Sequence, residues 1–223
     1  MRRSSNPSTL PNVEERSRDI EPAVRQRLRW FCAQPSVHAR FLNTLSLLEH
    51  IGSRKIMASQ SGSGLGNETL RHLAEETRHA YFFKRAAEGL AKRALDYEAR
   101  NTIAGTFARA YMGRLDAEIA NELADGAELA LPYLYMSLIV ELRAVWLYRL
   151  YQTALAEHQA GFTLKSVLAE EELHLAAMLA RLSELDEGVA IRVNRFCALE
   201  DRRFRALWDA IEDECGRERL AAE

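Results

Sequence analysis

The sequence predicts an all-α fold, and three observations carry that prediction. Glycine (11) and proline (5) are sparse among 223 residues, too few for a turn-rich β architecture. Apolar residues recur at helical spacing: Leu134, Leu138, Val145 and Tyr148 lie at −7, −3, +4 and +7 from Glu141. Two Glu-x-x-His pairs, Glu76/His79 and Glu171/His174, place both side chains on one face only if the backbone is helical.

Residues 1–20 are rich in Ser, Pro, Asn and Arg and read as a loose tail, with residues 21–223 forming one domain. A first helix covers Pro22 to Ala33 and stops before Pro35. The next runs from Ser36 to about Met57, with Leu42, Leu45, Glu49, Gly52 and Ile56 on one face; Gly52 weakens its second half. Ser61 to Gly66 is a flexible connection, and Asn67 is expected to cap a helix reaching about Leu95. Tyr97 to Asp125 reads as a crossover helix or helix pair, with a break near Gly126. Pro132 suits the first turn of a helix that reaches about His158. Gly161 and Thr163 open another, ending at Leu185 before Asp186-Glu187-Gly188. A last helix, Val189 to about Arg217, is expected to pack Ile191, Phe196, Leu199, Phe204 and Trp208 against the others.

Composition narrows the function classes. A net charge of −2 offers no strong field for nucleic acid or an anionic membrane. The most apolar run, Leu134 to Leu150, is broken by Ser137, Glu141, Arg143 and Arg149, as in a buried helix rather than a membrane span. No apolar stretch follows the two N-terminal arginines, so a secretory signal is not expected. Cys32, Cys197 and Cys215 are odd in number and far apart, without zinc or disulfide spacing. A reducing cytoplasmic home is the expectation that follows.

The chemistry lies in a pattern that occurs twice. A lone carboxylate, Glu49, precedes Glu76-Thr77-Arg78-His79; a second, Glu141, precedes Glu171-Glu172-Leu173-His174. Each half offers three ligands from two helices. Two facing halves offer four carboxylates and two imidazoles, the inward-facing set of two-metal helical bundles. Oxygen-rich sets of this kind suit iron or manganese better than zinc. Glu141 sits within an apolar stripe, where an unpaired carboxylate would cost several kcal/mol; coordination removes that cost, and so would a salt bridge to an arginine on a neighbouring helix.

Order, spacing and helical setting over Ser36 to Leu185 resemble the ferritin-like di-iron carboxylate superfamily. The resemblance implies a ferritin-like four-helix bundle, here with added crossover, N-terminal and C-terminal helices. It implies Glu49, Glu76, His79, Glu141, Glu171 and His174 as ligands of two iron ions per chain, with Glu76 and Glu171 bridging and catalytic; a manganese–iron pair uses the same set. It also implies O2 chemistry on a small organic substrate, hydroxylation or N-oxygenation being examples. No flavin, haem or iron–sulfur motif is present, so an external donor such as a ferredoxin or reductase is implied, or a substrate that supplies its own electrons, and a homodimer is common for such folds.

Local features refine the expectation. Glu75-Glu76-Thr77-Arg78-His79 is similar to the Asp-Glu-x-Arg-His run of bacterial multicomponent monooxygenases. Glu75 would then orient His174, and Glu170 would orient His79; the alternative is that both face solvent. His72 shares the stripe of Glu76 and His79, and His-x-x-x-Glu-x-x-His resembles the extra-histidine site of di-iron arylamine N-oxygenases. His72 is read here as an outer or surface histidine, with a seventh ligand as the alternative. Phe83 stands where ribonucleotide reductase small subunits carry a radical tyrosine, so no such radical is expected. Leu45, Leu138, Val145 and Met178 are the candidate substrate-pocket residues. A ferroxidase, or a metal-free helical interaction module, would be the competing readings.

Overall fold

A computed structural model of the chain describes residues 13–59, 66–123 and 130–222. Among them every regular element is helical. The α-helices are α1 (Val13–Arg16), α2 (Glu21–Ala33), α3 (Pro35–Ser59), α4 (Asn67–Ala91), α5 (Gly105–Glu122), α6 (Leu131–Glu157), α7 (Lys165–Leu185) and α8 (Val189–Ala222). None of the described helices is long and apolar enough to cross a membrane.

Helices α3, α4, α6 and α7 form the central layer. Side-chain bonds show the pairs running antiparallel. Ser46 Oγ on α3 donates to the Ala80 carbonyl on α4 (2.7 Å), and Lys84 donates to Asn43 (2.9 Å). Between α6 and α7, Arg149 donates to Glu172 (2.8 Å) and Tyr135 donates to Asp186. Helices α5 and α8 pack on each other and over α3 and α6, while α2 lies across α3 and α6. Helix α6 is therefore enclosed on nearly every side. Its Tyr135, Leu138, Ile139 and Tyr151 are buried, as a helix apolar all round requires.

Among the described residues the crossover holds a single α-helix, α5, preceded by an irregular stretch with a 3₁₀ turn at Ala99–Asn101. Asn43 donates to the carbonyls of Asp96 and Asn101, both at 2.7 Å, which ties that stretch to α3. Helix α3 continues through Gly52 to Ser59. Gly66, not Asn67, takes the N-cap position of α4, and no side chain caps it. The helix ends at Ala91, where Lys92 turns left-handed (φ 54°). The seventh helix starts at Lys165 rather than at Gly161 or Thr163. Ile191 is 77% exposed, contrary to its expected place in the core, whereas Phe196, Phe204 and Trp208 are buried. Part of the expected tail is folded: Val13 and Ser17 are buried. The expected connection at Ser61–Gly66 lies mostly, and the break at Gly126 wholly, outside the described residues.

One buried charge cluster locks the outer helices to α6. Arg143 donates to both oxygens of Glu200 on α8 (Nε 2.9 Å, Nη2 2.8 Å) and to Ser17 Oγ (2.6 Å). Tyr111 of α5 donates to the same Glu200 (2.8 Å). The guanidinium lies 4.2 Å from the Phe204 ring centroid. Removing one partner leaves an uncompensated buried charge. Arg143→Ala should therefore lower unfolding stability by about 3–5 kcal/mol, read from denaturant midpoints; a loss under about 1 kcal/mol would mean Glu200 is held without it.

Candidate metal centre

The four central helices bring all six predicted ligands to one place. Glu49 comes from α3, Glu76 and His79 from α4, Glu141 from α6, and Glu171 and His174 from α7; all are buried. They form two adjoining groups that could each hold a metal ion. One is Glu49, Glu76, His79 and Glu171; the other is His72, Glu76, Glu141 and His174. Glu76 belongs to both. Glu171 also reaches both histidines, with Oε1 2.9 Å from His79 Nδ1 and Oε2 3.0 Å from His174 Nδ1.

His72 is not at the surface. It is 7% exposed, and its Nε2 lies 3.4 Å from Glu76 Oε1 and 3.5 Å from Glu141 Oε1. Its Nδ1 pairs with the Tyr133 hydroxyl at 2.9 Å, which leaves Nε2 turned inward. Its ring centroid stands 4.3 Å from that of His174.

Whether these residues fit a metal can be asked of the atoms themselves. Buried polar atoms normally find hydrogen bonds. Here His72 Nε2 and Glu76 Oε1 are buried with none and point into the two groups, where His79 Nδ1 meets only the Glu171 carboxylate. Nor does any lysine or arginine among the described residues pair with Glu49, Glu76, Glu141 or Glu171. Arg143, the arginine nearest Glu141 in sequence, is consumed by Glu200 and Asp201. The salt-bridge alternative for Glu141 thus has no arginine or lysine among the described residues to supply it. Four buried carboxylates and three imidazoles without a fixed cation are a donor set suited to divalent ions.

The outer layer is equally specific. His79 Nε2 donates to Glu170 (2.7 Å) and His174 Nε2 donates to Glu75 (2.6 Å). Each acid thus serves the histidine of the opposite motif, as the resemblance implied, and Arg78 holds Glu170 at 2.5 Å. Such carboxylate–histidine pairs fix which ring nitrogen is left for the metal. Replacing Glu75 or Glu170 by Gln should weaken iron or manganese affinity about 10–100-fold, measured by competitive chelation. Unchanged affinity would show the pairs to be incidental.

Tyr148 and Tyr133 escaped the sequence reading. Tyr148 donates its hydroxyl to Glu49, and Tyr133 backs His72. The available signal was their register: they lie seven positions after and eight before Glu141, on its side of α6. Gly52 also gains a reason. A Cβ there would stand 3.1 Å from Glu76 Oε2, so the glycine makes room for the carboxylate common to both groups.

Burial and neighbouring carboxylates hold the Glu49 and Glu141 carboxyls well above the usual range, with Glu76 pressing on the first and Glu171 on the second. Burial opposes charge on Glu171 as well, but its bonds from His174 and His79 win and hold it low. Burial likewise disfavours the His79 cation; Glu171, Glu49 and Glu170 outweigh it and raise the pKa to about 10. His174 is raised in the same way by Glu171 and Glu75. Without metal the site therefore holds protons that a cation must displace. Apparent Mn(II) affinity should rise with pH from about 6.5 towards about 10, with proton release on binding visible by calorimetry in two buffers. Metal uptake without pH dependence would contradict this protonation pattern.

An apolar cavity of about 70 Å³ adjoins the centre. Glu49, Glu76 and Glu141 close one end, and Leu45, Leu48, Met112, Leu147 and Trp208 line its walls. Of the four predicted pocket residues only Leu45 lines it. Leu138 and Val145 are buried elsewhere, and Met178 lines a separate recess of about 200 Å³ beside His72.

Compared with protein-family models, curated proteins and solved structures, this chain matches none, so what identifies it is the centre itself: two buried carboxylate–histidine groups that could hold metal within an all-helical fold.

Proposed function

We propose that the chain binds two metal ions, iron in the first instance, and serves as an O2-dependent oxidoreductase acting on a small, uncharged organic substrate. The observation that carries this reading is the convergence of seven buried side chains from four helices, with two orphaned ligand atoms and no lysine or arginine partner among the described residues. Glu49, Glu76, His79 and Glu171 would hold one ion. His72, Glu76, Glu141 and His174 would hold the other, with Glu171 within reach of both. A reduced pair of irons supplies electrons and open coordination positions for O2.

The protein's own contribution is placement and exclusion. Glu170 and Glu75 hold the imidazoles by their Nε2 protons, so that Nδ1 faces the metal side. Tyr148 keeps a proton on the hydrogen bond to Glu49. The cavity presents hydrocarbon, and its single guanidinium, Arg143, is already neutralised by Glu200. An anionic substrate would find no free counter-ion there, whereas a neutral apolar group would lose nothing on entry.

Metal analysis of protein from iron-replete cells tests the reading, together with an optical spectrum after reduction and exposure to O2. About two irons per chain and a transient visible band are expected. Absence of metal that added Fe(II) or Mn(II) does not restore would overturn the reading in favour of a purely structural bundle. Iron uptake into large symmetric assemblies, without substrate turnover, would favour the ferroxidase.

A further inference from the structure

Helix α4 carries a basic residue at every seventh position, Arg71, Arg78 and Arg85, and Lys92 follows at its C-cap. Seven residues make about two helical turns, so the three arginines share one side, with Lys92 at its C-terminal end. All are exposed, in a chain whose net charge is −2. The face therefore concentrates positive charge against the overall balance. Its acids offset two of these charges, since Glu170 pairs with Arg78 (2.5 Å) and Glu75 approaches Arg71 (3.9 Å), which leaves Arg85 and Lys92. Glu75 and Glu170 are engaged with His174 and His79, and Glu88 accepts a bond from the Leu95 amide. Glu68 is the exposed acid at its end. Arg85 leans over the Tyr81 ring at 5.7 Å, and neither Arg85 nor Lys92 has a carboxylate partner among the described residues. Two large apolar side chains are exposed nearby, Tyr81 (62%) on α4 and Leu173 (68%) on α7. Arg78, Tyr81 and Arg85 also line a groove of about 590 Å³, with Phe82 and Phe162 among its other walls. Exposed apolar spots rimmed by one sign of charge mark partner surfaces.

The same face leads to the centre through single carboxylates. Exposed Arg78 touches Glu170, which touches His79; exposed Arg71 approaches Glu75 (3.9 Å), which touches His174. One carboxylate thus separates a surface guanidinium from each imidazole. Resting on the redox reading above, we propose that this α4–α7 face docks a small acidic electron-carrier protein that reduces the centre. Each reduced carrier gives one electron. Two encounters convert a ferric pair to a ferrous pair and leave two oxidised carriers, with no other reactant required.

The test uses the iron-loaded, oxidised protein under anaerobic conditions. Its reduction is followed with an acidic [2Fe–2S] ferredoxin and, separately, with reduced methyl viologen, a small cation. The ferredoxin rate should fall steeply with salt. In the Arg85→Glu/Lys92→Glu variant it should fall by about tenfold or more, as expected for steering charges on a docking rim, without slowing by viologen or loss of iron. A ferredoxin rate indifferent to both salt and charge reversal would overturn the docking face while leaving the redox reading intact. So would reduction by viologen alone. A ferric pair that neither reductant reduces would overturn the redox reading and this proposal with it. Should the variant fold poorly, the salt dependence of the unmodified protein still separates these outcomes.

Discussion

Glu171→Ala is expected to purify almost free of metal, while Glu141→Ala retains about one ion per chain of the two that the paired sites would hold. The difference follows from reach. Glu141 belongs to one group, with His72, Glu76 and His174. Glu171 sends one oxygen to within 2.9 Å of His79 and the other to within 3.0 Å of His174, so its loss opens both sites at once. It also leaves two imidazoles raised in pKa without the anion that best balances them. His72→Ala separates the ligand role of this residue from a passive one. A ligand role predicts selective loss of the ion held with Glu141, whereas a passive role predicts full loading. Elemental analysis of the three variants, with helical content checked by circular dichroism, decides among these outcomes. Equal metal content in Glu171→Ala and wild type would remove the two-site assignment.

Metal removal should lower thermal stability sharply. Ligand that binds only the folded state adds about 4 kcal/mol when present at about a thousand times Kd. For a chain of this size that corresponds to a rise in Tm of about 8–16 °C. The expected direction has a structural cause: the metal-free fold keeps four buried carboxylates close together, with Glu49 and Glu141 pressed by burial and by their neighbours. The gap should also widen with pH. The raised pKa of His79 favours the metal-free fold fully below its ordinary 6.5, and that contribution fades as pH climbs through about 10. Glu49 and Glu141, also raised, act in the same direction once above the ordinary carboxylate range. Bound cations replace the lost protons. Scanning calorimetry of metal-free and Mn(II)-loaded protein between about pH 6.5 and 9 measures both effects. A metal-free protein as stable as the loaded one would mean that the buried acids are satisfied without ions.

The sequence by itself determined the all-helical class and the meeting of the two motifs. Both rest on short-range geometry: a Glu and a His three apart share a face of any helix, and a lone acid in an apolar stripe must be carried inward. The pairing of Glu75 with His174 and of Glu170 with His79 came from the resemblance, since spacing alone left both acids free to face solvent. What the tertiary structure decided depends on how several helices pack. His72 lies on a stripe consistent with ligand or surface. Only the depth at which α4 sits against α6, with Tyr133 behind the ring, turns its Nε2 inward. The cavity is walled in part by α5 and α8, which carry no motif, so Leu138 and Val145 could not be told from Leu45 by periodicity. Arg143 lies two residues from Glu141, yet it is claimed by Glu200, 57 positions away, because one helical step of about 100° carries a side chain to a different neighbour. Local spacing fixes which side chains travel together; the packing of the helices fixes whom they meet.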